Sequence, residues 1–422
     1  MKTKRKVERV DYMQQDMFRS IASDYETPTY VFDMRALAQR VDFIRKLLPK
    51  ETKLCFAMKA NPFMAGVLAD MVDRLEVCSP GEYEICIRER IDPEKIVVSG
   101  VNKTLASMER ILSYSHGAGI YTIESELHYQ ILKQCAGRIN KRLKVLLRLS
   151  SGNQFGMDEP TLERVLASIQ TDNIADIIGI HYYAGTQKKM SKLENELQQL
   201  EIYGAKLKEK YHISDMELEY GPGLMVSYFE DASPSELTAS DAKKQLETLN
   251  NLLSDMHAYG NISIELGRFL TSDCGYYMTQ IMDIKHTGKA GFIIVDGGIH
   301  QINYFGQMMG MKKPYIQLVK ANSHESDISE NAGKWTICGS LCTVNDVLVR
   351  QIELDSFETG DFLVFERCGA YAVTEGMALF LSRELPQVLL IDLDGNIRIL
   401  RKKTEINILN SKMEENEYGK TN

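Results

Sequence analysis

Short apolar runs and longer amphipathic stretches alternate along most of this 422-residue chain. Lys53–Met58, Arg74–Cys78, Ile96–Ser99, Ile120–Thr122, Val145–Leu149, Ile177–His181, Glu217–Tyr220 and Ile262–Glu265 have the length and apolar content of buried strands. Stretches with helical spacing lie between them, among them Pro80–Glu89, Glu124–Gln134 and Ser191–Tyr211. Strand-then-helix repetition predicts βαβ units and a parallel sheet. About eight such strands predict closure into a βα barrel, whose chemistry would sit at the strands' C-terminal ends. Lys59, His181 and Glu265 fall there.

The flanks read differently. Val7 to Ala22 predicts a helix, Thr27-Pro28-Thr29-Tyr30-Val31-Phe32-Asp33 a turn and short strand, and Met34 to Leu48 a second helix. After about residue 280, Phe292–Val295, Lys334–Ile337, Asp346–Leu354, Asp361–Phe365, Val388–Ile391 and Ile397–Arg401 predict strands with few long helices between them. Asp394-Gly395 predicts a hairpin turn. Met413 to Asn422 is polar and predicts a frayed end. The expected organisation is an α/β protein: a barrel over 35–280 and an all-β domain over 281–422, to which residues 1–34 add.

Composition narrows the class. Apolar residues make up 44% and charged residues 26%, as in ordinary globular proteins. A net charge of −8 argues against generic nucleic-acid binding. No apolar run approaches the length of a membrane span, and the basic start Met1-Lys2-Thr3-Lys4-Arg5-Lys6 is not followed by the apolar segment of a secretory signal. Eight cysteines, scattered without paired metal-type spacing, point to reduced thiols, a cytoplasmic setting and no metal site.

The candidate chemistry starts at Lys59, which follows the apolar run Leu54–Met58 and precedes the stop Ala60-Asn61-Pro62. Burial there would lower its pKa and make the amine a usable nucleophile. The same residues fit a lysine that merely reaches past a strand end to solvent. Four further segments stand out, though each alone also reads as a turn, core or surface feature: His181-Tyr182-Tyr183-Ala184-Gly185-Thr186-Gln187, Tyr220-Gly221-Pro222-Gly223-Leu224, Ile264-Glu265-Leu266-Gly267-Arg268, and Gly369-Ala370-Tyr371. A fifth, Cys338-Gly339-Ser340-Leu341-Cys342-Thr343-Val344-Asn345-Asp346, holds a cysteine that could equally be packing.

In this order the segments resemble the fold-type III pyridoxal-phosphate decarboxylases, the diaminopimelate, ornithine and arginine decarboxylase group. The resemblance runs from about Tyr30 to about Ile391. It implies an alanine racemase-type barrel, pyridoxal 5′-phosphate (PLP) as cofactor, and a homodimer with shared active sites. It implies that Lys59 forms an aldimine with PLP and that Glu265 pairs with the pyridine nitrogen, so that loss of CO₂ leaves a quinonoid. Tyr183 would stack on the ring, where the family has a histidine. Thr186, Gly221, Gly223, Arg268 and Tyr371 would hold the phosphate end. Cys342, reaching in from the other subunit, would help return a proton to the product. Pro222 removes one backbone donor from the phosphate loop.

The departures bear on substrate. Thr343 stands where the family's diaminopimelate and ornithine enzymes carry an acid for the distal amine, and no arginine follows Val295-Asp296-Gly297-Gly298. Tyr183, Thr186, Gln154–Asp158, Leu341-Cys342-Thr343 and Phe380-Leu381 are similar to a branch that acts on an amino acid tethered to an acyl carrier protein. The expected reaction is decarboxylation of such a carrier-linked or distally neutral amino acid. Lys188, Lys189, Lys192, Lys312 and Lys313 are the candidate docking residues for an acidic carrier. The rivals are a diaminopimelate decarboxylase making L-lysine, an alanine racemase, and a silent homologue that binds the cofactor without turnover.

Overall fold

The structure, a computed structural model, describes residues 15–114, 117–304, 310–321 and 333–412. The expected helix from Val7 is seen from Gln15 to Asp24. Its first residues, and the tail from Met413, lie outside the described residues.

The chain divides into two compact units. One comprises Ala38–Ser227 and Ser233–Leu270; the other lies within Met1–Leu37, Tyr228–Ala232 and Thr271–Asn422. The first strand, β1 (Thr29–Asp33), belongs to the second of these. The next eight form the first: β2 (Lys53–Ala57), β3 (Arg74–Val77), β4 (Ile96–Val98), β5 (Ile120–Ile123), β6 (Leu143–Arg148), β7 (Ala175–Tyr183), β8 (Glu217–Gly221) and β9 (Asn261–Leu266). They pair in sequence order, all parallel, and β9 closes on β2. Each matches one of the eight apolar runs to within a few residues. The runs are legible because strands covered on both faces are apolar almost throughout; β5 and β8 are buried at every position. Cys55, Val97, Ile120 and Leu146 pack together as one buried apolar cluster on β2, β4, β5 and β6.

The second unit is built on β1, β10 (Gly275–Thr287), β11 (Ala290–Val295), β12 (Ile316–Val319), β13 (Gly333–Cys338), β14 (Val347–Leu354), β15 (Phe362–Phe365), β16 (Gln387–Ile391) and β17 (Ile397–Arg401). Pairing runs β14-β13-β11-β10-β1-β16-β17, with β15 joining β10 to β12. The Asp394-Gly395 turn does connect an antiparallel pair, β16 and β17. Two strands were not expected from the sequence. The first half of β10 is buried and its second half exposed, so no single periodicity marks it; β12 is four residues long. The core of this unit gathers Phe18, Ile21, Val31, Tyr276, Met278, Val364, Leu389 and Ile391.

Candidate active site

The C-terminal ends of the barrel strands carry a concentrated set of buried charges. β2 ends at Ala57, and Lys59 sits in the single 3₁₀ turn Met58–Ala60 that follows. Asn61 then accepts a hydrogen bond from the Phe63 N–H, with Pro62 at the first position of the next turn, so the expected stop is a capped one. Lys59 Nζ donates to Glu76 Oε2 at 2.8 Å and lies 3.6 Å from Glu265 Oε1. Glu76 is the third residue of β3 and Glu265 the fifth of β9.

The lysine's titration runs opposite to the expectation that burial alone would lower it. Burial does work against its charge, but the Glu76 and Glu265 carboxylates outweigh that and hold its pKa well above the ordinary lysine value. In the cofactor-free chain Lys59 is therefore an ammonium. Glu265 is buried, which favours its neutral form, yet Lys59 and the hydrogen bond from His181 keep it well below the usual carboxylate range. His181 Nε2 lies 3.1 Å from Glu265 Oε2. Glu76, His181 and Glu265 each bring one ligand-type atom within 4.8 Å of the others, with the Lys59 ammonium beside both carboxylates.

Tyr183, the last residue of β7, sets its ring 5.7 Å from Lys59 Nζ. Gly221 ends β8 in register with Tyr183, and a Cβ there would overlap the Tyr183 ring. Gly223 has φ +59°, and a Cβ would overlap the Gly185 carbonyl oxygen. Gly185 itself has φ +111° with open space where a Cβ would be. Thr186 lies between these glycines, and the Lys188 N–H donates to the Gly223 carbonyl. Arg268 follows β9 after one residue, Gly267. The barrel thus brings Lys59, Tyr183, Thr186, Gly221, Gly223, Glu265 and Arg268 to one set of strand ends. Cys342 and Tyr371 belong to the other unit. Cys342 is exposed in the turn between β13 and β14, and Tyr371, at φ +67°, lies in the loop after β15.

Several site residues were not singled out from the sequence. Glu76 is one, and a second buried cluster at the ends of β5 and β6 is another: Arg148 pairs with Glu124 at 3.0 Å, and Lys103 donates to the Gly100 carbonyl at 2.7 Å. Burial pulls the Lys103 pKa down to about 8, against the opposing pull of Glu124. Their common signal was available: a charged residue near the end of an otherwise apolar strand, as in Arg74-Leu75-Glu76-Val77. The docking lysines fare worse. Lys188 is buried, bonded to Glu196 at 2.6 Å and set over the Tyr220 ring, so it presents no surface charge. Lys313 pairs with Glu230, and Lys312 lies over the Phe229 ring.

The family described as "Pyridoxal-dependent decarboxylase, C-terminal sheet domain" matches residues 29–369 of this chain. The L-glutamyl-(BtrI acyl-carrier protein) decarboxylase of Niallia circulans is 25% identical over 91% of this chain and 93% of its own length. The diaminopimelate decarboxylase of Aquifex aeolicus is also 25% identical, over 91% of each chain. A crystal structure of diaminopimelate decarboxylase from M. jannaschii with L-lysine superposes with a TM-score of 0.78, covering 92% of each chain at 21% identity, and shares the fold.

Proposed function

The chain belongs to the pyridoxal-dependent decarboxylases, and from that premise we propose that its barrel site decarboxylates an amino acid whose distal end carries no free charge. It is a PLP-dependent amino acid carboxy-lyase. The observation that carries the substrate reading is the Cys342 segment. Its Thr343 offers a hydroxyl instead of a carboxylate, and the nearby acid, Asp346, accepts from the backbone N–H groups of Ile299 at 2.9 Å and Leu341 at 2.7 Å. A distal ammonium buried without a partner costs several kcal/mol. An amide- or thioester-linked distal end avoids that cost, and the relative in Niallia circulans acts on a carrier-linked glutamyl group.

The barrel residues fit PLP. Gly221 and Gly223 bring bare backbone up against Tyr183 and Gly185, with open space at Gly185, and a half-buried lysine stands beside a buried carboxylate. When bound, PLP supplies an aldehyde that condenses with amines and a ring that accepts the electron pair left as CO₂ departs. We assign the holding of that aldehyde to Lys59. Glu76 keeps the Lys59 amine aimed at the strand ends when it is released, and takes its charge. Glu265, held ionised by Lys59 and His181 and oriented by His181, would keep a ring nitrogen protonated. Tyr183 would cover a ring face as a neutral phenol. Backbone N–H groups around Gly221 and Gly223, with Thr186 and Arg268, suit a phosphate.

Cys342 and Tyr371 are assigned from their motifs: Cys342 to the return of a proton to Cα, from the second subunit of a homodimer, and Tyr371 to the phosphate. Lys189 and Lys192 remain as exposed docking candidates on the barrel. No helix among the described residues is long and apolar enough to cross a membrane. All eight cysteines are free, in keeping with a cytoplasmic enzyme.

The deciding experiment is CO₂ release from the purified, PLP-loaded protein. The substrates are meso-diaminopimelate, ornithine, lysine, arginine and glutamate as free amino acids, and glutamate loaded on an acyl carrier protein. Release from the loaded form alone is expected. Brisk turnover of free diaminopimelate refutes the substrate reading. Cys342→Ser is expected to keep cofactor absorbance and lose turnover.

A further inference from the structure

Below the strand ends, the barrel interior holds a second carboxyl that the reaction as described does not use. Glu219, on β8, is fully buried. It pairs in register with His181 on β7 and with Ser263 on β9, so the three side chains point to the same face. Arg74 Nη1 reaches Glu219 Oε2 at 3.2 Å, but that guanidinium is chiefly engaged by Glu217, which also holds Lys53 at 3.1 Å. The other oxygen, Glu219 Oε1, has no partner among the described residues. Nor do His181 Nδ1 and Ser263 Oγ, both buried. Three orphaned polar atoms on register-paired neighbours are each costly to leave buried and unpaired. A shared proton removes the cost.

We propose that Glu219 is a positioning residue for the ring-nitrogen carboxylate: protonated, it donates through one water, which Ser263 also holds, to His181 Nδ1, and so fixes the tautomer whose Nε2–H is given to Glu265. Ionisation breaks the Glu219 O–H and sends that proton to solvent; the tautomer change breaks Nε2–H and forms Nδ1–H by exchange with the same solvent, so His181 stays neutral. When Glu219 ionises, its carboxylate favours a proton on Nδ1 instead, and the donor to Glu265 is withdrawn. The groups facing Glu219 set the balance. Burial, the largest effect, raises its pKa; His181 and Arg74 lower it; Glu265 and Glu217 raise it; the result is about 7. Cys55 of β2 also faces it and stays protonated, its thiol pushed far up by burial and by these carboxylates. Arg74 and Glu217 line a cavity of about 320 Å³ formed by the N-terminal ends of the strands, which offers the proton a route to solvent away from the substrate side.

The consequence for the cofactor rests on the assignment of Glu265 above; the shared proton does not, and is read without cofactor. The experiment is a pH titration of ¹⁵N-histidine signals in the full-length, cofactor-free protein, with His181 assigned by its loss in His181→Asn. The expected result is an exchange of the proton from Nε2 to Nδ1 as pH rises through about 7. In Glu219→Gln, whose amide donates to the bridging water at every pH, Nε2 keeps its proton and the inflection disappears. PLP affinity of the wild type should fall about tenfold across the same interval and that of Glu219→Gln should not. A wild-type tautomer that never changes overturns the proposal, and decides the matter even if Glu219→Gln does not fold. An inflection that persists unaltered in Glu219→Gln overturns it as well. The expected histidine behaviour with a flat PLP affinity supports the shared proton and counts against Glu265 as the ring-nitrogen partner.

Discussion

Removing the Glu76 carboxylate should make Lys59 a faster nucleophile. Two unit charges 2.8 Å apart, the Lys59–Glu76 separation, interact by about 6 kcal/mol at an effective dielectric of 20 and about 1.5 kcal/mol in bulk water. The Lys59 side chain is 35% exposed, so solvent screening places the pair near the lower figure, at about 2 kcal/mol. That is about 1.5 pKa units, or about thirtyfold in the fraction of neutral amine at neutral pH. A less basic amine is also a weaker nucleophile, which by analogy with thiols takes back about half of the gain on a logarithmic scale. Glu76→Gln should therefore capture PLP some five- to tenfold faster than wild type between pH 7 and 9, by the estimates just made. Glu265, 3.6 Å away, still holds the residual charge. The assay is stopped-flow absorbance of PLP mixed with cofactor-free protein across that pH range. A rate that is unchanged, or slower at every pH, refutes the claim that Glu76 governs the charge on Lys59.

Three other outcomes follow from the same geometry. Gly223→Ala forces a Cβ into the Gly185 carbonyl at φ +59°; strain of about 1–3 kcal/mol should lower the melting temperature of the cofactor-free protein, and the displaced loop should weaken PLP binding about tenfold or more in a fluorescence titration. Lys188→Ala strands Glu196 without its buried partner and should cost about 3–5 kcal/mol in denaturant unfolding, whereas a docking role would leave stability intact and weaken only carrier binding. His128 and His300 are buried, and burial lowers the pKa of each to about 4. The unfolded chain then binds more protons than the folded one between about pH 4 and 6.5, so stability rises with pH through that window and is lost on acidification. His128→Gln and His300→Gln should each flatten the melting temperature against pH below 6.5; a curve that keeps its slope in both refutes the assignment.

The order of elements was legible because the barrel strands are covered on both faces, which leaves them as unbroken apolar runs between amphipathic helices. Lys59, Glu265 and the glycines at 221 and 223 were singled out by their motifs, and the barrel brings all four to one set of strand ends. What sequence could not supply was the partner of each charge. Lys59 and Glu76 are seventeen positions apart, and Glu265 lies 189 further on. Only closure of the barrel sets both carboxylates around one ammonium, and that reversed the direction in which the lysine titrates. Lys188 looked like a surface charge until the fold buried it against Glu196. Glu219 and His181, thirty-eight positions apart, became neighbours through strand register alone. Residue type and local pattern determined which chemistry this chain carries. The register of eight strands decided which charges meet, because a charge's pKa and role depend on what lies within a few ångströms, and that distance belongs to the tertiary structure.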